Sequence, residues 1–147
     1  MRWKPNVTVA AVAEHEGRFL LVEEHTSEGL MLNQPAGHLE DGESLADAVI
    51  REFIEETARP FQPEALTGIY QWRDSARERT FLRFTFCGHA GDVLPGRSLD
   101  AGIARTLWMT REEIAASAAR HRSPWVLTCV DDYLAGRRLP LDLIRTL

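Results

Sequence analysis

The stretch GHLEDGESLADAVIREFIEETAR, from Gly37 to Arg59, constrains what this chain can become more than any other part of it. It opens on an acidic turn that holds Gly37 and Gly42, then runs from Ser44 to Arg59 with neither glycine nor proline, which predicts a helix. Ser44 is a good N-cap, Asp47 stands three residues later in an arrangement close to the Ser-x-x-Glu capping form, and the interior is rich in Ala, Leu, Glu and Arg. At about 100° per residue, Glu52, Glu55 and Glu56 fall within roughly a third of the helix circumference. Leu45, Ala46, Val49, Ile50 and Phe53 cover a neighbouring arc, the stripe of a helix packed on a core. Such a helix rests on an apolar layer and presents three carboxylates beside it.

Two uses of those carboxylates are open at this point. Like charges three and four residues apart repel by only about 0.2 to 0.5 kcal/mol per exposed pair, so a solvated acidic face is cheap. The second use is a cation site. Arg51 precedes Glu55 by four residues, and the Gly37 turn brings a backbone carbonyl and Glu43 to the helix start. Clustered oxygen ligands of this kind suit hard cations such as Mg²⁺ or Mn²⁺. The net charge of −5 is concentrated here, because Gly37 to Ala58 holds seven acidic residues against one arginine. The remainder of the chain has no basic stripe, which argues against duplex or long nucleic acid as a partner.

A length of 147 residues, 44% hydrophobic and 27% charged, fits one globular domain over residues 1–147. Cys87 and Cys129 lie far apart with no zinc-like spacing, and are expected as reduced core residues. No signal-like apolar run opens the chain and none approaches a membrane span, so the expected location is cytoplasmic, without a membrane partner, as a monomer or homodimer.

Val7 to Ala13 and Arg18 to Glu23 read as a hairpin, with Phe19 to Val22 apolar on both faces as in a central strand. His25 to Leu32 is expected as a loop, and Asn33 to His38 as a short extended lead into the acidic turn. His38 has two uses, catalysis or bonding of the loop backbone. Ala65 to Arg73 and Thr80 to His89 form a second strand pair, with Leu82, Phe84 and Phe86 expected in the core. Trp72 is open to core packing or to stacking on a heteroaromatic ring. Gly88 to Gly102 is a loop carrying Asp100. Arg105 to Met109 is a strand, and Thr110 to Glu113 a capping box for a helix to about Ala119. Ser123-Pro124 starts a last helix closed by Gly136, with Trp125, Val126, Cys129, Val130, Tyr133 and Leu134 as its stripe.

Gly37, Glu43 and Arg51-Glu52-Phe53-Ile54-Glu55-Glu56 stand at the spacing of the Nudix box, Gly-x5-Glu-x7-Arg-Glu-U-x-Glu-Glu-x-Gly-U, with U a bulky apolar residue. Ala58 and Arg59 depart from its last two positions. Lys4 to Val9, Gly17 to Glu24, Asn33 to Glu40, Phe81 to Phe84 and Arg122-Ser123-Pro124 extend the likeness over nearly the whole chain, to the NudJ-type nucleoside phosphatases. The chain thus resembles the Nudix hydrolases. That resemblance implies an α/β/α sandwich with a mixed β-sheet and the box helix packed on it. It implies hydrolysis of phosphoanhydrides in nucleoside di- and triphosphates, or in hydroxymethylpyrimidine pyrophosphate, with release of phosphate. Nucleotide-sugar or dinucleotide cleavage, and a nucleotide sensor without catalysis, are the alternatives. The implied cofactor is Mg²⁺ or Mn²⁺ held by Glu52, Glu55, Glu56 and the Gly37 carbonyl. Arg51 would orient the acids through Glu43 or Glu55, and Glu55, or secondarily Asp100, would act as base. Asn33, Gln34, Trp72 and Asp100 are the expected substrate contacts.

Overall fold

The chain first turns where two residues in succession accept positive φ, Glu16 at 50° and Gly17 at 78°. Those values suit a two-residue hairpin turn, and in the computed structural model, which describes all 147 residues, they join β1 (Asn6–His15) to β2 (Arg18–Thr26). The expected loop from His25 to Leu32 is instead a second hairpin, with β3 (Gly29–Asn33) paired to β2 from Thr26↔Gly29 to Val22↔Asn33. The reason is local. The Thr26 hydroxyl accepts from the Glu28 N–H and donates to the Gly29 carbonyl, which closes a tight turn that hydrophobic period alone did not signal.

β4 (Ala36–His38) pairs antiparallel with β1, whose other edge runs parallel to β6 (Arg79–Ala90). β5 (Phe61–Asp74) is antiparallel to β6, and β7 (Ile103–Thr110) to β2. The result is a mixed sheet of order β3-β2-β1-β6-β5, with β4 beside β1 and β7 beside β2.

Helix α1 (Leu45–Thr57) covers one face through Val49 and Phe53, which pack with Val9, Ala11, Leu20, Leu66 and Phe86. Helices α2 (Arg111–Ala116) and α3 (Trp125–Leu134) cover the other, where Ile114, Val126, Cys129 and Val130 meet Val12, Phe19, Leu21 and Cys87. The architecture is the α/β/α sandwich. Its two-sidedness corrects the expectation for β6: Phe86 is buried and Phe84 packs beside it, yet Arg83, Thr85 and Cys87 on the opposite face are buried as well. An alternating strand beneath two helix layers has no solvent side.

The last helices differ in detail from their sequence pattern. α2 stops at Ala116 and continues as a 3₁₀ turn at Ala118–Arg120. Leu134 is 51% exposed, outside the apolar stripe, because α3 ends there. Gly136, at φ 85°, closes it with Gly136 N–H bonded to Tyr133 O and Arg137 N–H to Asp132 O, the Schellman arrangement. No helix is long and apolar enough to cross a membrane.

Candidate active site

The acidic turn and α1 are joined by a single guanidinium. Ser44 caps the helix by accepting from the Asp47 N–H at 3.1 Å, which fixes the register of the next two turns. Arg51, two turns in, reaches back and donates to both Glu43 oxygens, Nη2 at 2.7 Å and Nε at 3.0 Å, and to the His38 carbonyl at 3.0 Å. Its Nη1 turns the other way, to Glu52 at 2.8 Å and Glu55 at 3.3 Å. The Arg51 bond lowers the Glu43 carboxyl below its ordinary value and raises Arg51 in turn. Arg51 therefore positions the cluster, and Glu43 locks Arg51.

Glu52 explains Gly37. A Cβ on Gly37 would lie 2.1 Å from the Glu52 carboxyl carbon, so no other residue type admits that carboxylate against the backbone of β4. Glu56 is 8% exposed and accepts from the Ala36 N–H at 2.9 Å. Burial pushes its carboxyl up to about 9, and the negative charges of Glu24, Glu52 and Asp100 add to the effect. Burial raises Glu52 as well. Acids crowded and desolvated in this way are stabilised by a cation, and their all-oxygen character fits a hard one. In this structure no three acidic, imidazole or thiol groups converge as a closed cage; Arg51 takes up Glu52 and Glu55 instead.

Beside the cluster lies a cavity of about 420 Å³. Its wall includes Gly37, Glu56, Asp100 and Glu24, the rings of Trp72, Phe81 and Trp125, and Thr8, Asn33 and Arg83. Asn33 and Trp72 both border the cavity. Trp72 is half-buried and stacks on Phe81 with centroids 5.9 Å apart. Asp100 is exposed at the cavity, and its N–H bonds to the Glu55 carbonyl at 3.0 Å, pinning the loop to the end of α1. His38 borders the cavity with an exposed side chain.

Gln34 differs from expectation. It is 1% exposed and does not line the cavity; its amide donates to the Val126 carbonyl at 2.7 Å and accepts from Arg83 at 3.0 Å. Both ends are committed to holding the sheet to α3. Sequence reasoning gave Glu24 and Arg83 no role here, and Trp125 only a place in the apolar stripe of the last helix. Glu24 is buried and paired with Arg122 from the segment before α3. The one available signal was a charge inside an alternating apolar strand, Arg83 within Phe81-Leu82-Arg83-Phe84.

Residues 2–129 match the model described as the NUDIX domain. The chain is 41% identical to a protein named Phosphatase NudJ from Escherichia coli (strain K12) over 143 residues, 97% of this chain and 92% of that protein. Its structure superposes on a NUDIX hydrolase from Nitrosomonas europaea with TM-score 0.95 and 51% identity, covering 98% of both chains. A MutT NUDIX hydrolase from Burkholderia pseudomallei shares the fold alone, at TM-score 0.70 and 18% identity over 88% of this chain and 98% of the other.

Proposed function

The chain belongs to the Nudix hydrolase family, as an enzyme of the NudJ type, and from that premise we propose that it hydrolyses the phosphoanhydride of a nucleoside di- or triphosphate, or of hydroxymethylpyrimidine pyrophosphate, with Mg²⁺ and release of phosphate. The observation that carries this reading is the cavity whose wall combines acids with aromatic rings, which suits a polar anhydride joined to an organic ring. Glu52, Glu55, Glu56 and the Gly37 carbonyl would hold the cation. When bound, a divalent ion neutralises phosphate charge and lowers the pKa of a water. The protein supplies the rest. Arg51 holds Glu52 and Glu55 in a fixed arc, and the tether from Asp100 to Glu55 keeps an acid at the cavity. Glu55 is the proposed base that takes the proton of the attacking water, with Asp100 as the second choice. Asn33 and Trp72 are the proposed substrate contacts, and reduced thiols and a cytoplasmic setting agree with free buried Cys87 and Cys129.

The test is phosphate release from a panel of small phosphoanhydrides with Mg²⁺ and with chelator, products identified by phosphorus NMR. Glu56→Gln should lower kcat by roughly 100-fold or more, because a cation contributes several kcal/mol and about 1.4 kcal/mol is tenfold. Turnover kept in that variant, or kept in chelator, overturns the assignment. Two organic phosphates in place of inorganic phosphate would shift the reading to a nucleotide-sugar or dinucleotide substrate.

A further inference from the structure

Alternation along β5 fixes which of its backbone groups look outward. The Leu66 N–H donates to the Leu139 carbonyl at 2.8 Å and the Leu139 N–H donates back to the Leu66 carbonyl at 2.7 Å, on the side of β5 away from β6. Leu66 stands opposite Phe86 of β6, and in an antiparallel pair every second position along the partner strand repeats the same state. The bulge between Leu66 and Gly68 shifts the count by one, so Ile69, Gln71 and Arg73, opposite Phe84, Leu82 and Thr80, turn their N–H and C=O groups outward as Leu66 does. β5 ends the strand order of the sheet.

Elsewhere the chain covers such edges. Over β3 lies the segment before α3, where the Arg122 N–H donates to the Leu32 carbonyl at 2.9 Å. The first half of β5 carries Pro63, two bulges and the Leu139 segment, devices that keep a strand from pairing with another chain. From Gly68 to Asp74 the register is regular, without proline, lysine or bulge. Ile69 is 45% exposed, with Gln71 and Arg73 exposed beside it, while Tyr70 and Trp72 turn to the α3 side. A regular edge with an exposed isoleucine is a template for a further strand.

The strand's own pattern identifies the occupant. Laid antiparallel on a second copy about Gln71, it sets Gln71 opposite Gln71 and Ile69 opposite Arg73 of the second copy, in both directions. Each of these facing residues has its N–H and C=O groups turned to the other, and such pairs exchange two bonds. Centred on Tyr70, Arg73 would fall opposite Thr67 in the bulge; centred on Trp72, Ile69 would fall opposite Ser75 in the turn. The centre at Gln71 also keeps the two Arg73 side chains from facing each other and lays each isoleucine along an arginine stem.

We propose that the Gly68–Asp74 edge of β5 is a self-association surface whose partner is a second copy of this chain, paired antiparallel about Gln71. The arrangement is two-fold and closed, so it stops at two chains. It joins two sheets into one, and because Trp72 and Asp74 of the same strand line the cavity, the two cavities flank the seam.

Sedimentation equilibrium tests this, with amide hydrogen exchange as a second readout. The pairing is short and belongs with the small, transient interfaces, so a monomer at about 1 μM should give way to a dimer by about 500 μM. Over that range exchange should slow at Ile69, Gln71 and Arg73, and not at Tyr70 and Trp72, whose N–H groups already face β6. Gln71→Pro removes an outward N–H and spares the bonds to β6, so the variant should fold and its dimer Kd should rise about tenfold. Ile69→Lys sets a lysine against Arg73 of the second copy and should raise Kd by a similar factor, and adding Arg73→Glu should return it to within about threefold of the parent. That rescue is specific to this register. A chain still monomeric at about 500 μM, or a dimer indifferent to both Gln71→Pro and Ile69→Lys, would overturn the proposal. A dimer broken by Ile69→Lys and not restored by Arg73→Glu would overturn the pairing about Gln71.

Discussion

Glu56 carries an electrostatic conflict whose sign has a measurable consequence. Its carboxyl ionises near 4.5 in an unfolded chain and is pushed up to about 9 when folded, chiefly by burial. Between those values the folded protein binds a proton that the unfolded chain has released. The metal-free protein therefore loses stability as pH rises from about 4.5 to about 9. A cation ligand must shed that proton, so cation binding tightens across the same window. Thermal unfolding in chelator should show a melting temperature falling over this range, a fall that is largely absent in Glu56→Gln. Mg²⁺ should raise the melting temperature more near pH 8.5 than near pH 5.5. An equal Mg²⁺ effect at both would remove Glu56 from the cation set. Arg51 works in the opposite sense: its bonds lower Glu43, so the turn keeps its charge while Glu56 gives its own up.

At the scale of the element, the end of α1 explains how the chain departs from its family's pattern. Ala58 takes the left-handed conformation, φ 57°, that glycine would be expected to supply, and its N–H bonds to the Ile54 carbonyl. The strain of about 1 to 2 kcal/mol in that region is offset by a buried methyl worth about 0.8 and by the roughly 0.4 to 1 kcal/mol of unfolded-chain entropy that glycine would add. Ala58→Gly should consequently change unfolding free energy by less than about 1 kcal/mol in urea titration. Ser44→Ala at the other end should cost about 1 kcal/mol, because it removes the only side-chain cap. Arg59, in the pattern's last apolar position, donates to the Gly91 carbonyl at 3.0 Å and lies 5.6 Å from the Trp108 ring centre. Its stem and guanidinium cover an aromatic surface that an apolar residue would otherwise cover.

Across the whole molecule, Gln34 ties the sheet to α3, accepting from Arg83 on β6 and donating to the Val126 carbonyl on α3. Gln34→Leu leaves a buried guanidinium and a buried carbonyl short of partners, at about 1 to 3 kcal/mol each. A drop in melting temperature of roughly 10 °C is expected at 2 to 4 °C per kcal/mol for this size. A variant of full stability with a raised KM would return Gln34 to the substrate contacts. The acidic helix, its Ser44 cap, the Arg51 to Glu43 reach and the closure at Gly136 were legible in the chain, because each depends on residues within about eight positions of one another. Glu24, Arg83, Arg122 and the position of Gln34 were not. Arg83 meets residues 46 to 50 positions away, and Glu24 meets Arg122 at 98, through strand pairings that no local periodicity encodes. By itself the sequence determined the helix, its carboxylates and the family, since spacing along one helix fixes which side chains share a face. Only the tertiary structure decided what stands opposite those carboxylates, because the cavity wall is assembled from β1, β5, β6 and α3, whose neighbours are set by packing and register across the sheet.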